Sequence, residues 1–150
     1  MKYAPFESHS FDVVVCIRTI HALNNPEVLF GEVKRLLRPG GSLILEFANK
    51  RNLKQLFLNS LKLSKRNIAD IQPTKLGDNI LNFHPNYIFS YLRIYGFECK
   101  QIYGVSIFRS GFLKFLFPKI FLVWLDDKLQ VFNGKYHLTP SIFLKADLIN

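Results

Sequence analysis

Cysteine is scarce in this chain of 150 residues. Cys16 and Cys99 stand far apart with no CxxC spacing, which excludes a disulfide framework and a thiolate zinc site and makes a reducing cytoplasm the expected compartment. The four histidines, His9, His21, His84 and His137, share no ligand spacing, so no metal centre is expected. No G-x-S-x-G elbow occurs, and with it goes one common route to a serine nucleophile. Long apolar runs are missing too. The greasiest stretch, Val105 to Leu125, is broken by Arg109, Lys114, Pro118 and Lys119, whereas a spanning helix needs roughly 20 predominantly apolar residues. The opening MKYAPFESHSF lacks the basic, apolar and small-residue order of a secretory signal.

Acidic side chains are also few: 11 Asp and Glu face 20 Lys and Arg, a formal charge of +9. Lys50, Arg51, Lys54, Lys62, Lys65 and Arg66 follow one another with no acid between them. Such a face attracts nucleic acid, anionic lipid or a phosphorylated substrate. With few aromatics and no RNA-binding signature beside it, a solvated helix face is the simpler reading.

What is present reads as alternating strands and helices. Phe11 to Ile17, FDVVVCI, is a β-branched run without polar alternation, the pattern of a parallel strand covered on both faces. Asn24-Asn25-Pro26-Glu27 offers a side-chain cap, a proline and an acid to a helix start. Val28, Leu29, Val33, Leu36 and Leu37 then recur at three-and-four spacing, with Glu32, Lys34, Arg35 and Arg38 mostly opposite. Pro39 ends that helix, Gly40-Gly41 make a tight turn, and SLILEFA from Ser42 to Ala48 is the next strand. Together these form one crossover unit of a parallel sheet. Gly40-Gly41 precedes a strand rather than opening a helix, so it is no phosphate cradle.

Further on, the spacing predicts a helix from about Leu53 to Leu63 and a polar linker to about Gly77. A helix opened by His84-Pro85 follows, with Ile88, Tyr91, Leu92 and Tyr95 as its stripe and Gly96 at its end. A strand is expected from about Glu98 to Ile107. Gly111 to Phe132 reads as two helical pieces meeting at Pro118, core or a lid over an apolar pocket, with a polar face at Asp126, Asp127 and Lys128. Asn133-Gly134 signals a turn before a last strand, SIFLKADL, from Ser141 to Leu148.

The run PFESHSFDVVVCIRTIHALNNPEVLFGEVKRLLRPGGSLILEFANK, Pro5 to Lys50, closely resembles the middle of class I S-adenosylmethionine-dependent methyltransferases of the type 11 small-molecule family. His84-Pro85, Gly96-Phe97 and PSIFLKA at Pro140 to Ala146 continue the resemblance in order. It implies an α/β fold, a partial Rossmann-like doubly wound sheet holding the last four of seven strands, the final one antiparallel. The glycine-rich turn and acidic residue with which such folds grip a nucleotide cofactor have no counterpart here, so the N-terminal cofactor-binding half, roughly 100 residues, is expected to be missing. The chain then reads as one truncated domain, 1–150: a strand–helix–strand core at 1–50, a helix and linker at 51–80, and the remaining elements at 81–150.

By that resemblance Ile17, Arg18, Thr19 and His21 would line the methionine side of S-adenosylmethionine, with His21 near the reacting methyl group; a locally bonded helix-start histidine is the alternative. Asn49 and Glu46, at the end of the next strand, would face the small-molecule acceptor, although Asn49 also suits a turn and Glu46 a lysine partner. Methyl transfer mainly requires donor and acceptor to be held in line, so the lack of an evident general base is no objection. The implied function is methyl transfer by an enzyme whose isolated chain is inactive. The alternative is a split-enzyme subunit or a non-catalytic interaction module, and a peripheral membrane or nucleic-acid binder is the least favoured reading. Without its upstream neighbour, Phe11 to Ile17 becomes a bare apolar edge, expected to pair with a second copy or a separate N-terminal half.

Overall fold

The computed structural model describes residues 4–64, 67–76, 80–106, 115 and 117–149. Strand β1 is Phe11–Cys16. Alternation sends Val14 and Cys16 to the core, while Val13 and Val15 are 48% and 55% exposed. The all-apolar run predicts cover on both faces, but at this strand the structure supplies it on one.

Helix α1, Glu27–Leu36, starts with Pro26 at the N-cap and no side-chain cap bond, so the expected asparagine cap is not made. The Asn25 and Pro26 carbonyls instead accept from the Val28 and Leu29 N–H groups. Leu29, Phe30, Val33 and Leu36 are buried. Glu32, expected on the polar side, is buried with them: Arg35 donates to its two oxygens at 2.7 and 3.0 Å, and the Ala4 N–H donates at 2.9 Å. Because its partners come from α1 itself and from the segment before β1, this carboxylate leaves water without losing hydrogen bonds.

Strand β2, Leu37–Ala48, pairs in parallel with β1. The register passes from Phe11↔Leu37 to Val13↔Ser42, so the Arg38–Gly41 turn is looped out within β2 instead of preceding it. Gly40 has φ +77°, and a Cβ on Gly41 would sit 2.9 Å from the Arg38 carbonyl oxygen. Helix α2, Leu53–Ser60, is shorter than predicted, is capped by Asn52 Oδ1, which accepts from the Gln55 N–H, and buries none of its residues.

The stretch expected as a polar linker contains a small antiparallel hairpin, β3 Thr74–Leu76 and β4 Ile80–Asn82. Just after it Phe83 bridges to Asn49, which fixes the hairpin beside the carboxyl end of β2. Helix α3, Pro85–Ile94, begins as predicted: His84 Nδ1 accepts from the Asn86 N–H. Tyr91 and Tyr95 stack on Phe30 at 5.8 and 6.2 Å, joining α1 to α3.

Strand β5, Phe97–Val105, and strand β6, Ser141–Leu148, complete the main sheet in the order β1-β2-β6-β5. β6 is antiparallel to both neighbours, as expected of the last strand. Leu43, Leu45, Phe47, Ile142, Leu144 and Ala146 form its buried side against Phe30, Ile88 and Leu92. Helix α4, Lys119–Lys135, has Pro118 at its N-cap and packs on β5. Ile107 and the first helical piece expected before Pro118, at 111–114 and 116, lie outside the described residues. Asn133-Gly134 is no turn but the last part of α4. A Cβ on Gly134 would lie 2.5 Å from the Ile102 carbonyl oxygen, and one on Gly104 2.7 Å from the Asn133 carbonyl carbon. Glycine sits there because helix and strand backbones touch.

Candidate functional site

Three parallel strands, β1, β2 and β5, end on the same side of the sheet, where loops diverge and open α/β sheets bind ligands. After β1 the chain turns sharply. Arg18 adopts a left-handed φ of +55°, a conformation that strains a non-glycine residue and persists only where neighbours hold it. Here the holder is Glu46: its Oε2 accepts from the Arg18 N–H at 2.9 Å and its Oε1 from the Ser141 hydroxyl at 2.5 Å. One buried carboxylate therefore clips the exits of β1 and β2 to the start of β6. It takes no lysine partner among the described residues.

β5 ends in the same way. Ser106 has φ +67° and its N–H donates to Asp126 Oδ2 on α4 at 3.0 Å. Beyond Arg18, Thr19 is exposed and its hydroxyl donates to the Ile17 carbonyl. Ile20 is fully buried and starts a short 3-10 helix, Ile20–Ala22, that carries His21. His21 Nδ1 is buried without a hydrogen-bond partner among the described residues, an unmet hydrogen-bonding demand.

Asn49 is 2% exposed. Its amide donates to the His137 and Thr139 carbonyls at 2.7 and 2.9 Å, and its Oδ1 accepts from the Arg51 N–H at 2.8 Å. Every polar atom of that side chain is engaged with backbone, which ties the end of β2 to the approach to β6.

Lys50 differs from the solvated lysine expected of its basic stretch. It is 5% exposed, its Nζ donates to the Gln72 carbonyl at 2.5 Å and the Thr74 hydroxyl at 3.2 Å, and burial pulls its pKa down. His84, buried beside it, is likewise held toward the neutral form, first by burial and then by Arg51 and Lys50.

The structure thus brings Ile17, Arg18, Thr19, His21 and Glu46 to one corner, with Asn49 at the end of the same strand as Glu46. Ser141 was not foreseen from sequence. The available signal was Glu46 itself, a lone acid in an otherwise apolar strand. An open groove of about 460 Å³ lies elsewhere, along β5 between Phe89, Tyr103, Val131 and His137. Among the described residues no group of three His, Cys, Asp or Glu could hold a metal, and no helix is long and apolar enough to cross a membrane.

As a receptor for S-adenosylmethionine this corner fits in part. The turn at Ile17 to Thr19 is exposed, whereas the orphaned His21 nitrogen is buried. Among the described residues no strand leads through a glycine-rich turn into a helix, the unit that would hold the nucleoside.

Residues 1–45 match the family model described as a methyltransferase domain. A highly reducing polyketide synthase from Emericella nidulans is 39% identical over 66 residues, 41% of this chain and 3% of that protein. The fold is similar to a crystal structure of an S-adenosylmethionine-dependent methyltransferase from Thermotoga maritima, a possible histamine N-methyltransferase, with 16% identity and TM-score 0.60; the match covers 96% of this chain and 59% of the other. The [4+2]-cyclase SpnF is similar at 19% identity and TM-score 0.59, with 97% and 53% covered. The chain therefore spans between half and three fifths of these two structures. A Burkholderia thailandensis 1,6-didemethyltoxoflavin-N1-methyltransferase, solved with S-adenosylhomocysteine, is similar at 11% identity and TM-score 0.55 over 97% of this chain and 47% of the other. The first 45 residues thus resemble a methyltransferase domain in sequence, and the mixed sheet resembles the fold of these methyltransferase structures.

Proposed function

We propose that this chain is the acceptor-side part of a methyl-transfer site, in which Ile17, Arg18, Thr19 and His21 face the methionine end of S-adenosylmethionine. The observation that carries the proposal is the Arg18–Glu46–Ser141 clip, a strained turn held at the carboxyl end of the first strand. When bound, the cofactor supplies an electrophilic methyl group on a sulfonium. The chain's own residues orient and exclude water: Glu46 fixes the turn, His21 Nδ1 offers an unused polar atom, and Asn49 sets the substrate-side wall through the backbone that it holds. Fold alone does not decide the chemistry, since one similar structure is a cyclase.

With no nucleoside-binding unit among the described elements, these residues by themselves would bind the cofactor weakly and support no turnover. The test is a titration of the isotopically labelled chain with S-adenosylhomocysteine, followed by amide chemical shifts. Shifts confined to Ile17 through His21 and Glu46 support the reading. Shifts centred on the groove at Phe89 and His137 contradict it.

A second reading is a subunit completed by another polypeptide, favoured by the exposure of Val13, Val15 and Ile17 at the sheet edge. An apolar edge with unpaired backbone groups recruits strands. Replacing Val13 and Val15 by lysine should abolish concentration-dependent association in gel filtration; association unchanged by both lysines would count against the edge.

A further inference from the structure

Helix α4 turns its apolar side outward. Its buried residues are Leu122, Asn133 and Gly134, whereas Ile120, Val123, Trp124 and Val131 are 85%, 68%, 54% and 60% exposed. Ile120, Trp124 and Val131 lie on one stripe along the helix away from Leu122, with exposed Asp127 between the last two. A solvent-facing helix normally shows the reverse, and a contiguous exposed apolar patch marks an interaction surface. The sequence suggested core or a lid for this segment; of the described residues of α4, Leu122, Asn133 and Gly134 are buried and the rest are not.

Three kinds of occupant suit an exposed apolar helix face. A polypeptide extending the sheet beyond β1 lies at the far margin, because α4 packs on β5 and the strand order is β1-β2-β6-β5. A second copy would bring two chains of charge +9 together, which repel as wholes, although α4 sets Asp126 and Asp127 against Lys119, Lys128 and Lys135. An anionic lipid surface suits both the charge and the side chains, since interfacial helices combine Trp, Phe and aliphatic residues with lysine. Helix α2 repeats the pattern. Leu53, Phe57 and Leu61 are exposed at four-residue steps beside exposed Arg51, Lys54 and Lys62. Its first N–H, on Leu53, donates to the Leu138 carbonyl at 2.8 Å, next to the end of α4.

We propose that α4, with α2 beside it, seats the protein on the surface of an anionic membrane, apolar stripe in the headgroup layer and lysines against lipid phosphates. Trp124 is the single tryptophan of the chain, so its fluorescence reports the contact directly. With phosphatidylcholine–phosphatidylserine vesicles its emission should shift to the blue and resist aqueous quenchers, with little change for phosphatidylcholine alone. Added salt should weaken the effect by screening. Ile120→Glu and Val123→Glu, at the two most exposed apolar positions of α4, should keep the unfolding midpoint and weaken vesicle binding about tenfold or more each.

Three results would overturn the proposal: emission unchanged by phosphatidylserine vesicles, vesicle binding undiminished in both glutamate variants, or a blue shift that grows with protein concentration in the absence of lipid, which would assign the face to self-association.

Discussion

Asn49 shows how a single side chain can look functional in sequence and be engaged structurally in space. Its amide and carbonyl oxygen hold three backbone groups, and leaving such groups buried and unpaired costs about 1–3 kcal/mol each. Asn49→Ala should therefore lower unfolding stability by about 2–4 kcal/mol, measured by urea denaturation; a residue that served only to touch substrate would leave stability unchanged. Titration offers a second residue-scale test. His84 and His137 are both held below the ordinary histidine range, first by burial, then by Arg51 with Lys50 for His84 and by Arg51 with His84 for His137. A depressed histidine contributes stability that is complete above its unfolded value near 6.5 and is lost as pH falls through the folded one. Unfolding midpoints should thus hold steady above about pH 7 and decline below about 6.5. His84→Asn, which retains a capping side chain, should flatten that decline. The Glu32 carboxyl is pulled down chiefly by its Arg35 hydrogen bonds, against burial, so its loss belongs to a separate window below about pH 4.3.

Elements were legible wherever the signal was local. The strand of β1, the helix of α1, the His84-Pro85 start of α3 and the last strand β6 all form where the sequence predicts them, although β1 is covered on one face and not two. What escaped was set by distant partners. Three-residue strands such as β3 and β4 carry too little pattern to separate from a loop. Glu32 looks solvent-bound until the segment at Ala4 is brought against it, and the same holds for Glu46 and Ser141, 95 residues apart in the chain. Asn133-Gly134 reads as a turn because that pair favours left-handed backbone, yet the glycine is there for the crossing of α4 over β5. Gly134→Ala should cost about 1–3 kcal/mol through forced separation of the two backbones, read as a fall in melting temperature. Gly40→Ala, with nothing within 4 Å of its Cβ, should cost about 1 kcal/mol from its positive φ alone. Equal losses at the two sites would refute the close-contact account.

At the scale of the whole molecule, one face of a mixed sheet is packed under α1 and α3, while Val13 and Val15 lie open on the other side of β1. That asymmetry joins the fold to the proposed function. The turn proposed to meet the methionine end of a methyl donor is braced by Glu46, and the unit that would grip the nucleoside is not among the described elements. The account therefore ties tight cofactor binding to a second structural contribution along β1. Calorimetric titration of the purified chain with S-adenosylhomocysteine tests this most directly. Dissociation no tighter than about millimolar is the predicted result; saturable one-to-one binding near micromolar, by this chain alone, would contradict it.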